Sequence, residues 1–288
     1  MMMDAAAAVT ARRFASLVKI EHSIFALPYA YVGLVLAPGG VSAADVVWVT
    51  VAMVGARSLA MALNRLIDAS IDARNPRTAR RELPAGLLTR AQVLGFCALS
   101  LAVFLVAVWQ LDPVVRLLWP IPVIAFVVYP YLKRVTWTCH IVLGLIDGLA
   151  PVGAWVAVSG DFSAGAWILG GAVALWVAGF DVIYATMDLE VDRQQGLHSL
   201  PARFGVAKAL LATRVMHATS VVLLIVLGPL LGLGPAYYLG VAVVAALLAY
   251  ENAIVSADDL SRVDMAFLAM NGVIALVFLA GVLLDAAL

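Results

Sequence analysis

Apolar runs alternate along the chain with short polar breaks. Runs close to the roughly 20 residues that span a bilayer fall at about 22–38, 43–63, 91–110, 113–132, 139–158, 164–187, 208–231, 234–255 and 264–285. The pattern predicts an all-α integral membrane protein with about nine transmembrane helices, the first being the shortest, in a single domain over 1–288. Two of the runs end in polar stripes. One carries Arg57, Asn64, Asp68 and Asp72, and the other Asp181, Tyr184, Asp188 and Asp192. Offsets of four, seven and eleven residues return to the same helix face. Each stripe therefore runs down one side of a helix that is otherwise Ala, Leu, Val, Met and Ile. A polar stripe in a membrane helix needs a partner, and the partner expected for each is the other.

Composition supports the membrane reading: 64% of the 288 residues are hydrophobic and only 12% charged, against about 25% charged in a soluble domain. The 18 basic and 18 acidic residues balance, and no nucleic-acid partner is expected. Their distribution carries more information. With the N-terminus in the cytoplasm, 17 of the 18 basic residues fall on the inner side and only Arg116 lies outside. The positive-inside rule then puts the N-terminus inside, nine spans put the C-terminus outside, and the membrane expected is the cytoplasmic (inner) one. The first run is expected to be retained, because Pro28, Tyr29 and Tyr31 and the lack of a small-x-small site do not suit a cleaved signal peptide. Cys97 and Cys139 have no spacing partner and are read as packing residues. His22 is read as capping, with Glu21 and Ser23, the start of the first helix. Trp155, Trp167 and Trp176 are read as packing or interfacial residues. Glu251, Asn252, Asp258, Asp259 and Asp264 are read as a solvated loop, and Pro120, Pro122 and Pro130 predict a kinked fourth helix.

The chemistry follows from what flanks the stripes. Segment 73–89 carries Arg74, Arg77, Arg80 and Arg81, with Arg90 just beyond. Four carboxylates in two facing pairs repel unless cations lie between them. Mg²⁺ suits, because it takes oxygen ligands and is completed by substrate phosphates, while arginines bind the remaining phosphate oxygens. The implied substrate is a diphosphate with a lipid tail among the helices. If the tail is polyprenyl, its allylic carbon ionises when pyrophosphate is stabilised as leaving group. Tyr129 and Tyr184 could face the carbocation, although an interfacial anchor is the plainer role for Tyr129. Arg57 would hold an acceptor carboxylate, with Asp181 orienting the acceptor or taking its ring proton. Lys133 shares a face with Tyr129, and Lys19 faces lipid headgroups or a substrate phosphate. Asp147 is an intramembrane acid without a local partner. The Leu-Pro-Ala tripeptides at 83–85 and 200–202 each follow an acidic pair. That echo suggests a duplication of helices two to four with six to eight, so that the acidic ends face one another.

At these residues the sequence resembles the UbiA family of intramembrane aromatic prenyltransferases over nearly the whole chain. The match rests on Asn64, Asp68 and Asp72 followed by NPRTARRELPAG, on YPYLKR, and on D-x-x-Y-A-x-x-D-x-x-x-D at 181–192. The resemblance implies a UbiA-type bundle with a pseudo-repeat around a central cavity. By the same resemblance Asp68, Asp72, Asp188 and Asp192 are magnesium ligands, and Asn64, Arg77, Lys133 and Lys19 bind the diphosphate. Arg57, Asp181 and Tyr184 serve the acceptor or the reacting centre. Arg65, His198-Ser199 and the KIEHSIFALP opening look closer to a bacterial branch linked to menaquinone by the futalosine route than to members acting on 4-hydroxybenzoate. The partners so implied are a polyprenyl diphosphate, a small aromatic quinone precursor and the bilayer. A polytopic transporter and a CDP-alcohol phosphotransferase are the competing readings, and the D-x-x-D-G-x-x-A-R pattern of the latter is absent.

Overall fold

The computed structural model describes residues 2–19 and 23–288, and their side chains except those of 2–8, 23–26 and 267–269. His22 and Glu21 thus lie outside the described residues. The described chain is helical: α1 (Met2–Leu17), α2 (Ser23–Leu36), α3 (Ala43–Asp72), α4 (Arg90–Val108), α5 (Val115–Leu118), α6 (Pro120–Leu132), α7 (Cys139–Ser159), α8 (Ala164–Ala185), α9 (Leu189–Gln195), α10 (Leu200–Phe204), α11 (Val206–Leu231), α12 (Pro235–Ala253) and α13 (Asn271–Ala287). Seven segments among the described residues are long and apolar enough to cross a membrane: α3, α4, α5 with α6, α7, α8 through α9, α11 and α12. The first and last of the nine expected spans are shorter apolar helices, Leu27–Leu36 and Asn271–Ala287. Large side chains such as Leu99, Leu117 and Leu239 point outward, as they do where lipid replaces water. The chain is an integral membrane protein.

Three boundaries depart from the expected runs. Helix α3 starts at a Ser42–Asp45 capping box and continues without a breaker to Asp72, nine residues beyond the apolar run, so both its acids are helical. The run at 113–132 is broken: Trp119 ends α5 and Pro120 opens α6, since a proline lacking its N–H fits a first helical turn better than a helix interior. Helix α8 stops at Ala185 and tightens into a 3₁₀ turn at Thr186–Asp188. There the Thr186 hydroxyl donates to the Ile183 carbonyl at 2.6 Å, competing with the backbone ladder. Asp188 and Asp192 therefore do not share one unbroken helix face.

Helices α7 and α8 pack almost backbone to backbone. A Cβ on Gly144 would lie 2.1 Å from the Ala174 carbonyl oxygen, and one on Gly148 would lie 2.5 Å from that of Gly170. Such small-residue seams let membrane helices gain close van der Waals contact where no hydrophobic force draws them together. On the far side of α8, Trp176, Leu169, Leu224, Tyr237 and Phe278 form a buried core with α2, α11, α12 and α13. Helix α1 lies over segment 73–89 and α4: Ser16 donates to Glu82 at 2.5 Å, Arg13 donates to the Leu87 carbonyl at 3.0 Å, and Phe14 stacks on Phe96 of α4 at 4.9 Å. These contacts hold the basic loop on its outer side, while Arg81 ties it to Asp72 at the end of α3 and Asn75 and Arg77 tie it to Asp188 just beyond α8, beside the ends of α6 and α7.

Candidate active site

Those four helix ends surround a cavity of about 580 Å³. Its polar end is lined by all twelve residues singled out in the sequence: Lys19, Arg57, Asn64, Asp68, Asp72, Arg77, Tyr129, Lys133, Asp181, Tyr184, Asp188 and Asp192. Its apolar reach passes Ala56, Met53, Val49, Phe104, Val108 and Ile146 to Val115, Leu118 and Trp119 at the opposite end of the bundle. The cavity is thus a charged chamber continuous with an apolar tunnel.

Each acid is set among cations. Asp68, whose side chain is only 2% exposed, accepts from Lys133 at 2.6 Å, from Asn64 at 3.3 Å and from Arg134 at 3.4 Å. Arg134 also donates to the Ile67 carbonyl at 2.8 Å, satisfying a group near the end of α3. Asp72 accepts from Arg81 at 2.7 Å, while its buried Oδ2 has no hydrogen-bond partner among the described residues. Asp188 accepts from Asn75 at 2.8 Å and from Arg77 through both Nε, at 2.9 Å, and a terminal nitrogen. Arg77 also donates to the Tyr184 hydroxyl, and its guanidinium lies 4.7 Å from the centroid of that ring. Burial works against the Arg77 charge, but the bond to Asp188 and the proximity of Tyr184 outweigh it and raise its pKa. Asp192 lines the cavity from α9, with Asp188 and Lys133 among the charges acting on it. Asn75 and Arg77 thus carry the first acidic region across to the second, as the expected facing of the two ends requires.

Other predicted residues join the same chamber. Lys19 follows α1 with φ of 44°, a left-handed turn that ends the helix, and lines the cavity. Asp147 and Arg57 line the same cavity. Glu251 is not in a solvated loop: it is fully buried near the end of α12, where Asn271 donates to it at 3.4 Å and Trp176 donates to Asn271 at 2.6 Å. Four residues that bond the acids had no individual role assigned from the sequence: Asn75, Arg81, Arg134 and His140. The first three stand in basic stretches where only the fold selects which side chain turns inward. His140 lies 5% exposed at the start of α7 and bonds Asp181 at 2.7 Å.

The donors suit a hard divalent cation. Asp68, Asp72, Asp188 and Asp192 with Asn64 form an all-oxygen set of carboxylate and amide groups, and the unpartnered Asp72 Oδ2 is an acceptor in need of a cation. Among the described residues no three acids, histidines or cysteines already form a metal cluster. The guanidinium and ammonium groups instead divide the carboxylates between them.

A membrane helix bundle with a charged chamber opening into an apolar tunnel suits a molecule with an anionic head and an apolar tail. The comparisons with known proteins define the class of protein. The family model of the UbiA prenyltransferase family matches residues 26–281, and the chain belongs to that family: it is a polyprenyl transferase. It is 31% identical over 225 residues to a 4-hydroxybenzoate octaprenyltransferase of Aliivibrio fischeri (strain MJ11), covering 78% of each chain. To one of Tolumonas auensis it is 32% identical over 228 residues, covering 79% of each. Its structure is similar to the apo structure of a UbiA homolog from Aeropyrum pernix K1, with a TM-score of 0.85 and 36% identity over 92% of this chain and 98% of that one. A UbiA homolog from Archaeoglobus fulgidus bound to GPP and Mg²⁺ shares the fold, with a TM-score of 0.72 and 20% identity over 96% of this chain and 100% of that one.

Proposed function

We propose that this protein transfers a polyprenyl group from a polyprenyl diphosphate to an aromatic quinone precursor, with release of diphosphate. The observation that carries the reading is the joining of the charged chamber to the apolar tunnel, which suits one molecule with an anionic head and an isoprenoid tail. Relatives named for 4-hydroxybenzoate support an acceptor of that kind. Arg65, His198-Ser199 and the KIEHSIFALP opening favour an aminodeoxyfutalosine-type precursor of menaquinone as the second candidate. We assign the whole of 1–288 to one catalytic domain in the cytoplasmic membrane, with the N-terminus and the chamber on the cytoplasmic side, from the distribution of basic residues.

In this reading Asp68, Asp72, Asp188 and Asp192 would hold Mg²⁺, which when bound neutralises the diphosphate and makes it a better leaving group. Asn64, Arg77, Lys133 and Lys19 bind phosphate oxygens, the guanidinium of Arg77 matching two of them at once. To do so Arg77 and Lys133 turn from Asp188 and Asp68, and both are partly exposed, which keeps that exchange inexpensive. Tyr129 and Tyr184 present ring faces to the developing allylic cation, and the apolar tunnel keeps water from capturing it. Arg57 orients the acceptor, with Asp181 at the ring.

Purified protein given geranyl diphosphate is expected to release diphosphate with one acceptor of a panel of 4-hydroxybenzoate, 1,4-dihydroxy-2-naphthoate and aminodeoxyfutalosine, the product being identified by mass spectrometry. Chelation with EDTA should stop turnover and added Mg²⁺ restore it. Full activity in EDTA would refute the metal assignment, and no product with any of the three would refute the acceptor class.

A further inference from the structure

His140 and Asp181 meet where the α7–α8 seam ends. On α7, His140, Gly144 and Gly148 follow one another at four-residue spacing, which places them on one face. Opposite them on α8 stand Gly170, Ala174, Ala178 and then Asp181. Because Gly144 and Gly148 bring the two backbones together, the imidazole and the carboxylate meet at 2.7 Å, Nδ1 to Oδ2. The other ring nitrogen is also committed: the Leu200 backbone N–H donates to Nε2 at 3.2 Å. A backbone N–H can only donate, so Nε2 must carry a lone pair and the ring proton must sit on Nδ1. Nδ1–H therefore donates to Asp181. Asp181 lines the cavity, its side chain is 24% exposed, and Oδ1 has no hydrogen-bond partner among the described residues.

We infer that His140 is a positioning residue for the transfer, a neutral imidazole whose tautomer is pinned by the Leu200 amide and which holds Asp181 Oδ2 so that Oδ1 serves the acceptor ring. The inference rests on the role given to Asp181 above. In the step it serves, a ring carbon bonds to C1 of the prenyl group as the C1–O bond breaks and its electron pair leaves on diphosphate. The ring proton then passes to Asp181 Oδ1, and the C–H electron pair restores the aromatic ring. His140 keeps its proton throughout. Nε2 cannot take a second one while Leu200 donates to it, so the imidazole holds the base and does not relay from it. The fixed bond does for a proton acceptor what outer groups do for a metal ligand: it sets the orientation of the acting oxygen.

The test is a mutant cycle with geranyl diphosphate, Mg²⁺ and whichever of the three panel acceptors the wild-type protein prenylates. His140→Ala is expected to lower kcat by about 10- to 100-fold, the range found on loss of orienting partners, and to leave KM for geranyl diphosphate near its wild-type value. His140→Asn should recover most of that loss, because the asparagine amide nitrogen is as many bonds from Cα as Nδ1 and can still donate to Asp181. On an Asp181→Asn background, His140→Ala should cost nothing further. An undiminished loss on that background, or no recovery with asparagine, overturns the positioning role. Wild-type turnover in Asp181→Asn alone overturns instead the assignment of Asp181 on which it rests.

Discussion

Asp68→Asn is expected to leave a folded protein whose turnover falls by about 10³-fold or more, with the same outcome for Asp188→Asn. The size follows from the part each carboxylate has in the proposed reaction, since losing a preorganised electrostatic contact to the transition state costs about 10² to 10³ and a weakened metal site adds to it. Folding should survive for a reason visible at the site. Removing one member of a buried ion pair costs about 3–5 kcal/mol when the other is stranded. Here the cations left behind are not stranded: Lys133 and Arg134 are 31% and 35% exposed and Arg77 29%, so water takes over much of the lost contact. Asparagine also keeps the volume of the carboxylate. Diphosphate release measured beside thermal unfolding in detergent separates the two effects. Retained turnover in both variants would remove these carboxylates from the metal site.

Gly144→Val should instead damage the fold. Its new Cβ would sit 2.1 Å from the Ala174 carbonyl oxygen and 2.9 Å from the Ala178 Cβ. Neither neighbour is the end of a flexible side chain, so the helices must separate. Overpacking of this kind costs about 3 kcal/mol or more, and separation also breaks the His140–Asp181 bond one turn away. Gly95→Ala on α4 is the control, because nothing lies within 4 Å of its added Cβ and helix propensity favours alanine by roughly 1 kcal/mol. The melting temperature should drop sharply in the first and hold or rise in the second. Equal melting of the two would mean that the α7–α8 seam does not determine stability.

The stripe from Arg57 to Asp72 was legible in the sequence because α3 is an unbroken helix, where spacing alone assigns a face. The second stripe was legible only in part. Asp181 and Tyr184 lie on α8, but the tightened turn at Thr186 depends on a hydroxyl whose choice of carbonyl no spacing rule reports, and it re-aims Asp188. Among the arginines of segment 73–89, composition could give a basic loop but not its inward members. The fold turns Arg77 and Arg81 to the acids, while Arg74 donates to the Ser70 carbonyl at 3.2 Å. His140 was hidden for another reason: its partner stands 41 residues away on another helix, and an isolated histidine in an apolar run reads as packing. Of the nine expected spans, seven among the described residues are long and apolar enough to cross a membrane, and those at the two ends correspond to the shorter apolar helices Leu27–Leu36 and Asn271–Ala287.

Asn75 and Arg77 reach Asp188 from the first half of the chain, while the His198 N–H donates to the Lys133 carbonyl at 2.7 Å from the second. The chamber is therefore stitched across the connection between α6 and α7: each half brings one acidic pair, and the first half also brings Arg77, Arg81, Lys133 and Arg134, the cations bonded to Asp68, Asp72 and Asp188. A polypeptide severed in that connection would yield two fragments, neither carrying a complete set of polar groups. Activity would then depend on fragment complementation, with both pieces inserted in the same membrane and docked through the Arg77–Asp188, Asn75–Asp188 and His198–Lys133 contacts that now join them.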